Sequence, residues 1–215
     1  MVAACLGMRE MNDDSHGIRR GRKFDQVLAG AREVFLRDGF EGASVDDIAR
    51  VAGVSKATLY NYFPDKRLLF MEVARAECRR AADEAEALID DAAPVAEVLR
   101  LAGERIVAFA QSDLGQRMHR LCVAESDRFP ALGQVFYESG PQLVRERLAV
   151  YLAKAVARGE VRIDDLNLAA DQFAQLCKAD LHDRAVFGID PARAPREVAR
   201  VVEGAVAMFM ARYGV

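Results

Sequence analysis

The residues best equipped for chemistry lie together in one short stretch, "GVSKATLYNYF", Gly53 to Phe63. Ser55, Lys56, Thr58, Tyr60, Asn61 and Tyr62 supply hydroxyls, an amine and an amide, with the small Ala57 among them. Such groups suit recognition rather than bond-breaking, because they donate to phosphate oxygens and to base edges. If residues 55 to 63 are helical, Leu59 and Phe63 fall one turn apart and mark the buried stripe. The polar and phenolic residues then cover the other face. A merely solvated face carries Glu, Lys and Gln and tucks its tyrosines toward a core. This one fits a surface that meets something polar and negatively charged.

The rest of the chain holds little that could run a reaction. His16, His119 and His182 form no recognisable Cys/His or Ser/His arrangement with their neighbours. No glycine loop of the Walker or dinucleotide type is present. The acid pairs Asp90-Asp91 and Asp164-Asp165 fall at expected helix ends, where capping explains them. An enzyme is therefore not expected, and no cofactor is called for. Cys5, Cys78, Cys122 and Cys177 are dozens of residues apart, which argues against structural zinc and for free thiols in a reducing cytoplasm. A thiol redox sensor at Cys122 or Cys177 is the alternative to plain free thiols, and it would need a neighbour that stabilises the thiolate.

The elements that must position the Ser55–Tyr62 face read as helices throughout. No hairpin dipeptide sits between alternating residues, and no βαβ rhythm appears. A first helix from Arg19 or Arg22 to Asp38 carries Phe24, Val27, Leu28, Ala31, Val34 and Phe35 on one stripe and ends at Gly39. In "SVDDIARVAG", Ser44 is a natural N-cap with Asp47 three residues on. Val45, Ile48, Ala49 and Ala52 make a stripe of two turns. Ala49 lets two helices approach, Gly53 can take a positive φ, and Ile48, Ala52, Val54 and Leu59 point inward. That is the layout of a helix-turn-helix whose second helix enters the DNA major groove.

Pro64 stops this helix and Asp65 caps a long one that ends before Pro94. Further helices are expected at about 95–111, 114–126, 131–139, 142–158, 166–187 and 196–212. Pro94, Pro130, Gly140-Pro141, Gly159, Gly188 and Pro195 serve as the breakers. The expected fold is all-α with about nine helices: a three-helix head over 19–66 and a larger helical bundle over 67–215. Residues 1–18 read as a disordered tail, with Met8 and Met11 as alternative starts. From Gly17 to Arg67 there are 10 basic and 7 acidic residues; from Leu68 onward, 19 against 23. A modestly basic head on an acidic body permits a local phosphate-binding face. No apolar run approaches the ~20 residues of a membrane span, and the N-terminus lacks the pattern of a signal peptide.

The stretch "GFEGASVDDIARVAGVSKATLYNYFPDKRLLF" resembles the TetR family of bacterial one-component transcriptional regulators, over about Val27 to Val73. "AESDRFPALGQVFYESGP" is similar to the ligand domain of one subgroup. By position, the resemblance implies that Lys56, Ala57 and Tyr60 read base edges, and that Ser44, Ser55, Thr58, Tyr62 and Lys66 grip phosphates. Tyr60 fits either task. Tyr62 could instead pack its ring on the head. Arg19, Arg20, Arg22 and Lys23 are either a solvated helix start or an arm toward phosphate or the minor groove. Asp46 departs from the pattern, since it stands where some members present a basic or polar contact.

The resemblance further implies a homodimer through the last two long helices, with Val201, Val202, Ala205, Met208 and Phe209 as interface candidates. It also implies a pocket in the body whose occupant shifts the spacing of the heads. Candidate lining residues are Phe109, Met118, His119, Cys122, Phe129, Phe136, Tyr137, Phe173, Cys177 and His182. Their apolar surroundings fit a hydrophobic or aromatic effector. The partners expected are thus double-stranded operator DNA, a second copy and a small molecule, in the cytoplasm and without a membrane. Repression relieved by the effector is the default. The alternatives are a helical protein-interaction module, a ligand-independent DNA-binding regulator, or an activator.

Overall fold

A computed structural model describes residues 21–90, 93–189 and 195–215. The expected tail, together with Arg19 and Arg20, lies outside the described residues. Eleven α-helices follow in order: α1 (Arg22–Gly42), α2 (Val45–Ala52), α3 (Lys56–Tyr62), α4 (Lys66–Glu86), α5 (Val95–Gln111), α6 (Asp113–Glu125), α7 (Pro130–Tyr137), α8 (Leu143–Ala157), α9 (Leu166–Leu176), α10 (Leu181–Val186) and α11 (Pro195–Tyr213). A π-helical turn, Glu138–Gln142, joins α7 to α8. Among the described residues no strand forms; the nearest thing is a single bridge between Val161 and Gly214.

Two apolar cores hold these helices. The first is built by Phe24, Val27, Ala31, Val34 and Phe35 of α1, Ile48 and Ala49 of α2, and Leu59 of α3, with Phe63 just beyond it. It continues without a gap into Leu69, Phe70 and Val73 of α4, Met118 and Cys122 of α6, and Leu132 of α7. The second joins α5, α8, α9 and α11 through Leu99, Leu152, Phe173, Val202 and Phe209. Each fully buried Leu or Phe contributes about 1.5–3 kcal/mol by leaving water. The helix-turn-helix is thus one end of a continuous packed body, not a bead on a linker.

Two expectations require correction. The helix expected over 166–187 is broken between Leu176 and Leu181, where Asp180 takes φ 60°, the only positive φ of a non-glycine among the described residues. Cys177 and Leu181 are both buried and keep helical spacing across the break, so the periodicity conceals it. Gly140-Pro141, expected as a breaker, lies instead inside the π turn. The wider ring of a π turn lets the chain pass the proline and run on from α7 into α8.

Candidate functional site

The position of α3 is set by three local devices. Ser44 caps α2: its Oγ accepts the Asp47 N–H at 3.0 Å and donates to the Asp47 carboxylate at 2.8 Å. Gly53 turns the chain at φ 65°. Ser55 caps α3, with its Oγ accepting the Thr58 N–H at 3.1 Å. Leu59 and Phe63 are then drawn inward, leaving Lys56, Ala57, Tyr60 and Asn61 exposed on one face. One positioning residue escaped the sequence reading. A Cβ at Gly30 of α1 would come within 2.6 Å of the Ala52 backbone nitrogen, so glycine is what lets α2 lie against α1. The readable sign was a helix-weakening residue inside the stripe of Val27, Ala31 and Val34.

The other expected DNA contacts occupy less open positions. Thr58 is half-buried, and its hydroxyl shares a hydrogen with Ser55 at 2.9 Å. The Tyr62 ring meets Phe24 edge-on at 5.8 Å. Lys66 donates to the carbonyls of Phe40 (2.9 Å) and Ala43 (3.2 Å), and its amine lies over the Phe40 ring. A cation is favourable there because the end of α1 leaves unsatisfied carbonyls. Lys66 therefore staples α4 to the chain between α1 and α2.

Charge on this face is locally balanced. Asp46 of α2 forms an ion pair with Lys56 of α3, and Arg50 pairs with Asp47 at 2.9 Å. Arg50, helped by the Ser44 hydroxyl, holds the Asp47 carboxyl below its ordinary range.

Three contacts tie this head to the body. Arg67 donates to Asp65 (2.6 Å), the residue capping α4, and to Glu125 at the end of α6 (2.7 Å), while lying over the Phe129 ring at 3.8 Å. Arg117 of α6 occupies the space beside Gly39 of α1 where a side chain would otherwise stand. Within the head-side core, Arg32 of α1 bonds the buried Glu77 of α4 at 2.5 Å.

The ten expected effector residues are not gathered around one cavity. Met118 and Cys122 are buried in the first core, with Phe109, Phe129 and Phe136 packed against it; Phe173 and Cys177 are buried in the second. Tyr137 is exposed and takes a hydrogen bond from Arg145 at 2.9 Å. His119 and His182 do come together, ring centroids 4.8 Å apart and perpendicular, with Phe136 at 5.7 Å from His119. Burial pushes the thiols of Cys78 and Cys177 up to about 12 and that of Cys122 to about 11, so they stay protonated at neutral pH.

The expected dimer residues also divide. Val202, Ala205 and Phe209 are buried in the protomer's own core, though the Phe209 ring also lines the groove on the outward side of α9 and α11. Val201 is half-buried, and Met208 is 60 % exposed. α11 is apolar on more than one stripe, and the 202–205–209 stripe is the inward one. The outward side of α9 and α11 carries an open groove of about 620 Å³ lined by Gln172, Gln175, Leu176, Met208 and Tyr213. Among the described residues no helix is long and apolar enough to cross a membrane.

This arrangement has counterparts. Residues 27–73 match the pattern of bacterial regulatory proteins of the tetR family, and residues 97–215 match the C-terminal domain of AefR-like transcriptional repressors. A crystal structure from Mesorhizobium loti, described as a TetR-family transcriptional regulator, is 30 % identical, covers 92 % of this chain and 100 % of its own, and superposes with a TM-score of 0.79. The flavonoid-responsive regulator FrrA is 34 % identical over 91 % of this chain and 98 % of its own, with a TM-score of 0.67. The transcriptional repressor AcnR of Corynebacterium efficiens is 36 % identical over 58 residues, 27 % of this chain and 31 % of its own length. The chain thus spans about a third of the length of that curated relative. With both halves matched in order, the chain belongs to the TetR family.

Proposed function

We propose that the protein is a homodimeric, DNA-binding transcriptional repressor of the cytoplasm, released from its operator by a hydrophobic or aromatic effector. The observation that carries this reading is the exposed row of Lys56, Ala57 and Tyr60 on a helix whose other face is locked into the core. Lys56 is suited to guanine O6 or N7 and Ala57 to a thymine methyl, with the Ser44 and Ser55 ends of α2 and α3 toward phosphate. A seven-residue helix reads few bases, and two copies about one DNA turn apart read far more. Identity to a relative named for its response to flavonoids supports an aromatic effector.

Fluorescence anisotropy against the gene's own upstream DNA and a scrambled duplex, at several salt concentrations, tests the proposal. Tight, salt-sensitive preference for the upstream DNA is expected, lost in Lys56→Ala and Tyr60→Ala while the dimer persists. Absence of binding at low salt across a random-sequence pool, by folded protein, would refute it.

A further inference from the structure

The contact between α6 and α10 gathers two imidazoles and an ammonium, none of them in an ion pair among the described residues. His119 of α6 and His182 of α10 stand edge to face at 4.8 Å, and the Nδ1 atom of each is buried with no hydrogen-bond partner. Lys178, half-buried in the break between α9 and α10, has no ion-pair partner among the described residues, and its charge acts on both rings. The break itself brings these groups together: with Asp180 at φ 60°, the His182 N–H still reaches the Lys178 carbonyl at 3.0 Å.

The fields acting here are nearly all of one sign. Burial, then Lys178 and Arg120, lower the His119 pKa. Burial, then His119 and Lys178, lower that of His182, with Asp183 alone opposing. Burial likewise lowers that of Lys178, against weaker effects of Cys177 and Asp171. Phe136 of α7 supplies the apolar wall, 5.7 Å from His119. Unpartnered polar atoms held away from water are costly, and a buried cation without a counter-ion more so. Two imidazoles could begin a metal site, but an ammonium beside them repels a cation. Among the described residues, moreover, no third ligand completes such a group. An oxyanion supplies the counter-charge the ammonium lacks and an acceptor for an imidazole N–H.

We propose that His119, His182 and Lys178 form the polar end of the effector site and take an aromatic ligand bearing an acidic oxygen, a carboxylate or a phenol, with its ring against Phe136. The inference rests on the effector reading above and names the chemistry of its ligand. The bound oxygen accepts from the Lys178 ammonium and from an imidazole N–H. A carboxylate's charge favours the protonated ring, so its binding takes up a proton and weakens as pH rises, whereas a phenol hands its own proton to the ring and takes up none from solution below its own pKa.

The test uses full-length protein and two matched pairs of probes: naphthoate with methyl naphthoate, and naringenin with its O-methylated ether. Imidazole NMR signals, assigned with His119→Gln and His182→Gln, are followed against pH. The acidic probes should raise the titration midpoints of both rings, and their methylated partners should not. In Lys178→Met the Kd for the acidic probes should weaken roughly tenfold, as for loss of a charge-assisted hydrogen bond. The methylated partners should be unaffected, and the melting temperature without ligand should show the variant folded. If only one acidic probe acts, it decides between carboxylate and phenol. Equal binding by the methylated partners, unmoved midpoints, or an unchanged Kd in Lys178→Met would overturn the inference. Release of operator by neutral compounds alone would sink it and leave the effector reading standing. Acidic probes that bind as described but never release operator would do the reverse.

Discussion

Lys56 and Asp46 stand on different helices, and their pairing makes Asp46 a competitor of DNA for the Lys56 ammonium. Both are mostly exposed, so the pair itself is worth only about 0–1 kcal/mol. Its effect is on discrimination: a phosphate must displace Asp46 and then meet its charge, whereas a base edge offers Lys56 acceptors without that repulsion. Asp46→Asn should therefore raise affinity for scrambled DNA roughly two- to fivefold. It should also narrow the preference for the operator and steepen the dependence on salt; parallel anisotropy titrations read all three. An unchanged ratio between the two duplexes would contradict this. The sequence reading recognised the repulsion but not the pairing, because spacing along the chain says nothing of the gap between α2 and α3. Lys66 teaches the same lesson. Its position resembles a phosphate contact, yet its amine is engaged by carbonyls more than twenty residues away.

Among the elements, α1 and α4 carry the head, and Glu77 is the charged link between them. It is 7 % exposed and bonded to Arg32 and Arg80. Burial alone would push its carboxyl up, but the two guanidiniums outweigh burial and hold it below its ordinary 4.5. A depressed folded-state value means the stabilisation is complete above about pH 4.5 and fades as pH falls through the folded value. Glu77→Gln should lower stability by about 1–2 kcal/mol at neutral pH, the half-exposed Arg32 keeping the loss modest. Thermal melts of the variant should also lose part of the wild-type decline on the acid side; an equal decline would assign that slope to other carboxylates. Elements whose signals are local were legible. Ser44 and Asp65 cap as their spacing predicts, and Gly53 turns the chain. The break after α9 was not legible, because neither glycine nor proline marks it and the apolar spacing runs straight through.

At the scale of the molecule, the proposed homodimer would pair through the outward side of α9 and α11, where the open groove lies. Met208→Asp should weaken the dimer at least about tenfold, as a charge in the centre of an interface does, and operator affinity should fall with it. Sedimentation velocity across a concentration series measures this, and an unaltered dimer would move the interface elsewhere. A sequence stripe shows that a residue is buried, not by what, and Val202 and Ala205 are buried within the protomer. Within the protomer, the π turn settles a question of azimuth. A residue advances an α-helix by about 100°, and a π turn holds one residue more than the α turn it replaces. One nearly continuous rod can therefore present Leu132 of α7 to the first core and Leu148, Leu152 and Ala155 of α8 to the second. A further residue inserted after Gln142, beyond the one the π turn absorbs, would keep every side chain of α8 and swing its apolar stripe about a quarter of a turn toward water. The whole body depends on the phase of that rod, a quantity that composition and hydrophobicity do not record.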